Sequence, residues 1–253
     1  MHPLSAPMNP ALLTAAAGMK ARIETVDVLA NNLANSSTAG FKADAEFYRL
    51  FETARARPDP RTGDGDPMPV AEASLVNFGQ GPIETTGSPF DIALEGPGFL
   101  TVQGPSGPLY TRQGSLGRSA AGELVGPGGL TVLGWDGKPI QIPANVPIVI
   151  SQDGAIRANE TTIGRLPIVE FADPRQLRKA GDALFSAPAG LEPQPAAFTA
   201  VRQGAIEGSN VSASLSAVRL ISANRHFEML RRAASLVGED MDSRAVSELG
   251  RTS

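Results

Sequence analysis

The chain is poor in the residue types that build many active sites. Among its 253 residues it has no cysteine, one tryptophan, two tyrosines and two histidines. The absence of cysteine excludes disulfides, thiolate metal sites and a cysteine nucleophile. Aromatic residues make up only 5% of the sequence, which argues against a large aromatic-lined ligand pocket.

Other patterns that would indicate catalysis are missing too. His2 and His226 are isolated, and without cysteine they do not make a metal site. Asp91 and Glu95 lie four residues apart in a predicted strand, but the pattern shows no partner for acid–base chemistry. There is no phosphate-binding loop or dinucleotide fingerprint. We predict a protein that is not an enzyme, with no catalytic, cofactor-binding or metal-binding residues.

Charge and hydropathy limit the kinds of partner and the cellular location that we expect for the protein. The net charge is −4 and no basic patch occurs, so nucleic acid is not an expected partner. No apolar run approaches the roughly 20 residues that span a bilayer. The first basic side chain is Lys20, after the short apolar run, so we expect no cleaved secretory signal. The protein is then either cytosolic or exported by a route that uses no such signal, and we predict no small-molecule ligand.

Both ends of the chain carry a narrow apolar stripe at helical spacing. The steps alternate between three and four residues, as in the seam of a coiled coil. We predict that the two helices pack together and that the stripes form a self-assembly seam. The alternative is two ordinary amphipathic helices on one globular core. The seam positions are Leu12, Ala16, Met19, Ile23, Val26, Ala30, Leu33, Leu220, Ala223, Phe227, Leu230, Ala234, Val237 and Met241.

The ends of these helices also have sequence signals. Asn9 and Pro10 are suited to the N-cap and first helical position, and the first helix is expected to end near Leu33. Asn31 and Asn35 lie one turn apart, so their amides either bond across an interface, brace the following turn, or mark a frayed, solvated helix end. Asn210 or Ser212 can cap the last helix, and Gly40 can adopt the left-handed conformation that ends a helix.

The middle of the chain differs from both ends. It concentrates most of the 27 glycines and 21 prolines and contains short apolar runs, which predict strands and turns. The candidate strands are Asp91–Leu94, Phe99–Gln103, Leu109–Arg112, Leu130–Leu133, Ile140–Ile142, Pro147–Ile150, Ala155–Arg157 and Leu166–Phe171. Asp136-Gly137 and Asp153-Gly154 predict hairpin turns. The expected fold class is α+β, with a coiled-coil-like helical base and an all-β barrel or sandwich-like central domain. The expected segments are an N-terminal helix (1–40), a linker and extended segment (41–85), the β-domain (86–190), a return segment (191–210) and a C-terminal helix (211–253).

The segment after the first stripe resembles a known family. Residues 28–42, VLANNLANSSTAGFK, contain every position of the ANNLAN motif of the bacterial flagellar basal-body rod and hook family, followed by Gly-Phe. The motif residues in this chain are Ala30, Asn31, Asn32, Leu33, Ala34, Asn35, Gly40 and Phe41.

Three further segments are similar to the same family. Residues 88–102, SPFDIALEGPGFLTV, resemble its stretch entering the central β-domain, and residues 110–114, YTRQG, resemble the segment that follows. Leu116 stands where the family commonly has Phe. Residues 204–211, GAIEGSNV, resemble the motif before the C-terminal helix. Residues 221–229 are most like the proximal-rod type, because the distal-rod type commonly has Tyr in place of Phe227.

The resemblance implies a structural subunit of the rod that transmits torque from the flagellar motor. It implies assembly with other rod and axial proteins into a homo- or hetero-oligomeric helical structure in the periplasm. It also implies passage through the flagellar type III export apparatus, for which Phe47 and Phe51 are a candidate docking signal. The alternatives are a distal-rod subunit of the same family, or a soluble β-rich binding domain on a helical oligomerisation stalk.

Overall fold

Both terminal stripes fold as long helices. In the computed structural model, which describes residues 10–45, 75–181 and 183–249, helix α1 spans Pro10–Ala34 and helix α2 spans Ala213–Leu249. Pro10 is the first helical residue, where its missing N–H has no intrahelical role. The predicted bounds of α1 are therefore confirmed, while Asn9 lies outside the described residues. Ser212 directly precedes α2, whereas Asn210 bonds elsewhere and does not cap it.

Between the helices the chain forms short strands joined by turns. Two 3₁₀ turns also occur, at Pro127–Gly129 and Pro174–Gln176. The strands are β1 (Asp44–Ala45), β2 (Leu75–Val76), β3 (Ile83–Thr85), β4 (Ile92–Glu95), β5 (Phe99–Gly104), β6 (Gly107–Thr111), β7 (Gly117–Arg118), β8 (Leu124–Val125), β9 (Ile148–Ile150), β10 (Ala155–Ala158), β11 (Thr161–Arg165), β12 (Ile168–Glu170), β13 (Arg178–Lys179), β14 (Leu184–Ser186), β15 (Gln194–Pro195), β16 (Ala200–Gln203) and β17 (Ala205–Glu207).

The strands form several small sheets. The largest has six strands in the order β13-β14-β6-β5-β12-β15, and a second has the order β11-β10-β9. Four two-stranded sheets pair β1 with β2, β3 with β17, β4 with β16 and β7 with β8. The predicted α+β class is confirmed, but the predicted barrel is wrong: no sheet in the described part of the chain closes on itself. The chain is divided among open sheets because most strands contain only two to four residues.

Two predicted strands, Leu130–Leu133 and Ile140–Ile142, are wrong as well. These segments make only isolated bridges, such as Leu133 with Pro139. Their side chains are nevertheless buried: Val132 is 0% exposed, and Ile140 and Ile142 are each 3% exposed. The apolar runs correctly indicated burial, but here the burial is in irregular backbone.

The Asp153-Gly154 turn connects β9 and β10 as predicted, although with a different geometry. Gly154 has φ +82° and its N–H donates to the Ser151 carbonyl at 2.8 Å, while the Ser151 N–H donates to Ala155 at 2.9 Å. Asp153 is not among the residues with positive φ. These bonds are those of a three-residue hairpin loop with a bulge at glycine, rather than of a two-residue turn.

Apolar side chains of the β-rich region form two clusters. The larger includes Ile92, Leu94, Leu124, Ile156 and Leu166, each no more than 1% exposed. The smaller is aromatic. In it the ring of Phe99 lies edge-on to Phe78 and Phe171, at centroid distances of 5.5 and 5.9 Å, and Phe185 is fully buried.

The described residues divide into two compact units. One contains α1 up to Leu33 together with α2, and the other contains residues 34–44 and 76–212. Within the described ranges, neither helix has the length and apolar character needed to cross a membrane.

Candidate functional site

Three of the family-like segments meet in a buried cluster of charged side chains. Lys42 follows the Gly-Phe pair, Arg112 lies in the YTRQG segment, and Glu207 lies in GAIEGSNV. One carboxylate oxygen of Glu207 accepts from Lys42 Nζ at 2.7 Å, and the other accepts from Arg112 Nε at 2.9 Å. The three side chains are 0%, 3% and 0% exposed, respectively. We refer to these three residues as the ion cluster.

Neighbouring backbone groups satisfy the remaining hydrogen-bonding capacity around Lys42 and Glu207. Lys42 Nζ also donates to the Gly79 carbonyl at 2.7 Å, and Glu207 Oε1 accepts the Gly81 N–H at 2.8 Å. Burial lowers the pKa of Lys42, and the hydrogen bond and charge of Glu207 oppose this lowering. A buried charge is tolerated only when it is paired and hydrogen-bonded in this way.

Arg112 extends the cluster toward β4 and β5. Its guanidinium donates to the carbonyls of Gly96, at 2.6 Å, Leu94, at 3.3 Å, and Gly98. The planar fork of an arginine suits several fixed acceptors at once. Arg112 thus holds the turn between β4 and β5 and, through Glu207, the end of β17.

Backbone and amide bonds tie the same segments together. The Gly40 N–H donates to the Glu207 carbonyl at 2.7 Å, and Asn210 Oδ1 accepts the Ala43 N–H at 2.8 Å. The Asn210 amide also donates to the carbonyls of Asn77 and Gly79, at 2.8 and 2.9 Å. Residues 40–43 and 207–210 of this unit therefore lie side by side.

Gly40 allows the entering segment to approach the YTRQG segment. It has φ +67°, and a Cβ at this position would overlap the backbone of Arg112 and Gln113. Gly40 therefore has positive φ as predicted, but it lies six residues beyond the end of α1 and serves this close approach rather than ending the helix.

We predict that Gly40→Ala destabilises the β-rich unit more than Gly87→Ala does. Both glycines have positive φ, which costs an L-residue roughly 1–2 kcal/mol, but the Cβ added at Gly87 has no atom within 4 Å. The overlap at Gly40 should add about 1–3 kcal/mol, the usual cost of overpacking. Urea unfolding of the two purified variants measures the difference in the free energy of unfolding. Equal losses of stability would show that the destabilisation comes from the backbone conformation alone.

Asn35 and Asn32 of the ANNLAN motif have defined surroundings, whereas Asn31 is exposed. Asn35 Oδ1 accepts the Thr38 hydroxyl at 3.1 Å and so braces the turn after α1. Asn32 is 5% exposed, which does not fit a frayed, solvated helix end. Phe41, the last residue of the family motif, contacts a lysine from the β-rich region. Lys179 Nζ lies 4.4 Å from the Phe41 ring centroid and donates to the Asp44 carboxylate at 2.8 Å. Phe47 and Phe51 lie outside the described residues.

The seam positions differ in exposure along both helices. In α2, Ala223 is 3% exposed, and Leu220, Phe227 and Leu230 are half-buried. In α1, Met19, Val26 and Leu33 are half-buried, but Ile23 and Ala30 are exposed. The most buried positions of α1 are Leu29 and Asn32, which places its buried side next to the predicted stripe rather than on it. The side chains of Leu12, Ala16, Ala234, Val237 and Met241 are outside those that the structure describes.

A second apolar stripe runs along α2. Its members are each 49–66% exposed. Val218, Ile221, Met229 and Leu236 each lie two residues from a predicted seam position or from the buried Ser216. In a helix with 3.6 residues per turn, residues two positions apart lie on roughly opposite sides. The residues of this outer stripe are Leu215, Val218, Ile221, Met229 and Leu236.

Sequence reasoning missed the ion cluster. Charged residues are usually exposed, and nothing local indicates that Lys42 lies beside a residue 165 positions away. The one available signal was that each charge stands in a Gly-rich segment resembling the same family.

Helical termini and a β-rich middle whose family-like segments meet in one cluster define a structural protein of the flagellar axial class. Family comparisons agree. Residues 12–42 match "Flagella basal body rod protein", residues 93–158 match "Flagellar hook protein FlgE/F/G D1 domain", and residues 202–245 match "Flagellar basal body rod FlgEFG protein C-terminal".

Individual relatives match over nearly the whole chain. The chain is 32% identical to the flagellar basal-body rod protein FlgF of Caulobacter vibrioides, covering 89% of this chain and 92% of the relative. It is 34% identical to the rod protein FlgG of Agrobacterium fabrum, covering 87% and 92%. It is 29% identical to FlgF of Salmonella typhimurium, covering 92% and 96%.

The chain belongs to the flagellar basal-body rod protein family. This confirms the resemblance to that family, most like a proximal rod subunit. The chain is a structural subunit of the rod, in a family that is structural rather than enzymatic. Proteins of this family form the periplasmic rod and assemble with other rod and axial proteins.

Proposed function

We propose that this chain occupies the proximal rod and joins a helical, homo- or hetero-oligomeric assembly through α1 and α2. In this proposal the seam side of α2 packs against α1, and the outer stripe packs against neighbouring axial subunits. The observation that carries the proposal is the placement of apolar residues on two opposite sides of α2. A helix that packs against one partner needs only one apolar side.

The ion cluster supports this arrangement by joining the segments next to the two helices. Residues 40–43 and 207–210 are bonded to each other, so the segments of the β-rich unit that lie nearest in sequence to α1 and α2 are held side by side. Contacts repeated head to tail between subunits build open helical structures. We accordingly assign residues 1–40 and 211–253 to the rod core, residues 41–85 and 191–210 to the connections, and residues 86–190 to the β-domain.

Electron microscopy of basal bodies tests the placement. In a strain that lacks the chain, the rod should be interrupted, and the gene supplied in trans should restore it. A small tag in the exposed Lys138 turn should locate the subunit in the proximal part of the rod. The second candidate is a distal-rod subunit of the same family, and a tag in the distal part would favour it. A complete rod in the deletion strain would contradict both placements.

We further propose that the chain is exported through the flagellar type III apparatus. The support is its family, whose members form the periplasmic rod and therefore have to leave the cytoplasm. In this proposal Phe47 and Phe51 are the docking signal for the apparatus.

The double variant Phe47→Ala/Phe51→Ala is expected to be secreted poorly while its melting temperature stays unchanged. If the two rings act as a signal that the export apparatus reads, their loss should affect recognition rather than folding. Immunoblots of culture supernatants from a strain that secretes unassembled rod protein measure the effect, with Phe198→Ala, at a position 82% exposed, as the control. Normal secretion of the double variant would remove this role.

A further inference from the structure

An open cleft lies in the β-rich unit, and none of the three ion-cluster residues lines it. It has a volume of about 550 Å³, within the range of small-ligand sites. Its floor is made of small or aliphatic residues: Leu166, Ile168, Pro195, Ala196 and Ala197. Nothing in the assembly role described above uses it.

Trp135, the only tryptophan of the chain, forms one wall of the cleft. Its indole Nε1 donates to the Leu166 carbonyl at 3.0 Å, which fixes the orientation of the ring. The side chain is still 49% exposed, although a ring of this size normally gains from fuller burial. The structure therefore presents a fixed, half-uncovered aromatic face.

An ion pair forms the polar part of the cleft. Arg165 donates to the Asp153 carboxylate at 2.9 Å and to its backbone carbonyl at 3.0 Å. The two side chains are 54% and 56% exposed, so both retain bonding capacity toward a ligand. Together they offer charge-assisted donors and acceptors without a net charge.

We propose that this cleft binds a neutral saccharide chain, with Trp135 stacked on the apolar face of a sugar ring and the Asp153–Arg165 pair bonded to its hydroxyl or acetamido groups. The balanced pair does not favour a strongly charged ligand. The cleft is open rather than enclosed, so its floor of small or aliphatic residues offers no closed apolar socket of the kind that anchors a large side chain of a protein partner. The cleft is open, so a longer chain can pass through it. The rod lies in the periplasm, where the glycan strands of the cell wall present a neutral N-acetylglucosamine ring at every second position.

The single tryptophan makes a direct test possible. The purified full-length protein is titrated with the tetrasaccharide of β-1,4-linked N-acetylglucosamine while tryptophan fluorescence is followed. We expect a saturable change in intensity or emission maximum. Calorimetry under the same conditions provides an affinity that does not depend on the tryptophan, and isolated cell-wall sacculi should sediment the protein.

Three variants assign the binding to the cleft. Trp135→Ala should lower the affinity for the tetrasaccharide about tenfold, the effect of losing one stacked ring. Trp135→Phe should retain most of the affinity. Arg165→Met should also weaken binding and leave the melting temperature unchanged, because the pair is exposed. Val149→Ala, at an exposed position that does not line the cleft, should bind as the wild type does.

Two results would overturn the proposal. One is the absence of saturable binding to both the tetrasaccharide and sacculi. The other is binding that Trp135→Ala does not weaken. If Trp135→Ala blocks incorporation into the rod while the wild type binds no saccharide, the cleft is a protein contact and the saccharide assignment is wrong.

Discussion

Replacing Glu207 with glutamine is expected to lower the free energy of unfolding of the β-rich unit by about 3–5 kcal/mol, the usual cost of breaking a buried ion pair. The amide would leave Lys42 and Arg112 as two buried cations without a counter-charge. Its NH₂ group would also face N–H donors, because Lys42 and Gly81 bond to one carboxylate oxygen and Arg112 bonds to the other.

Urea unfolding of the full-length chain measures this loss, with Trp135 fluorescence as the probe. The matched control is Glu95→Gln, which removes a carboxylate 3.6 Å from Arg202 in a pair that is 47% and 52% exposed. Exposed pairs contribute about 0–1 kcal/mol, so this variant should unfold almost as the wild type does. If the two variants lose similar free energies of unfolding, the buried ion cluster stabilises the β-rich unit no more than an exposed ion pair does.

A double variant separates the charge from the shape of the site. Lys42→Met removes one of the two cations that Glu207 neutralises, so Lys42→Met with Glu207→Gln should lose less than the sum of the two single changes. Contacting residues in one network usually couple by about 0.5–3 kcal/mol. Additive losses would show that Lys42 and Glu207 act independently, despite the 2.7 Å between their charged atoms.

Leu33→Asp and Leu230→Asp are each expected to block incorporation into the rod. Burying a leucine stabilises a contact by about 1.5–3 kcal/mol, and an unpaired carboxylate in its place is strongly disfavoured. Because a helical assembly repeats every contact in each subunit, the defect recurs along the rod. Cells should export the variants but fail to swim, and electron microscopy should show an interrupted rod.

The control for these variants has to avoid both apolar sides of α2. Arg232 is unsuitable because Met229 and Leu236, three and four residues away, belong to the outer stripe. Ser235→Asp adds the same charge at an exposed position that has no member of either stripe three or four residues away, and this variant should swim. Rods that assemble normally with either seam variant would show that assembly does not require the packing of α1 against α2 through the seam. A drop in the melting temperature of the β-rich unit would instead favour the single globular core.

The helix α1 and several of the strands were predictable because their hydrophobic periodicity and terminal residues are visible within short stretches of sequence. The apolar stripes and Pro10 gave α1 almost to the residue, and short apolar runs gave β4, β5 and β10 within one residue at each end. The predicted strands around Val132 and Ile140 failed because burial does not require a regular ladder when turns and isolated bridges satisfy the backbone.

The site was less predictable than the fold because its contacts are remote in sequence. Lys42 and Glu207 are 165 residues apart and Arg112 and Glu207 are 95 apart. A lysine followed by an alanine and an aspartate has the composition of a surface segment, so local reasoning treats it as exposed. Only the folded chain shows that the three distant segments that resemble one family meet at the ion cluster.

Burial of the ion cluster has a consequence for the conditions in which a rod works. Dissolved salt screens charges that are exposed to water, with a Debye length of about 8 Å at physiological ionic strength, but screens buried pairs much less. The salt content of the periplasm follows that of the medium around the cell. A β-rich unit held together by Lys42, Arg112 and Glu207 should keep the same internal strength from fresh water to brine, whereas the exposed pair of Arg202 and Glu95 would weaken over that range.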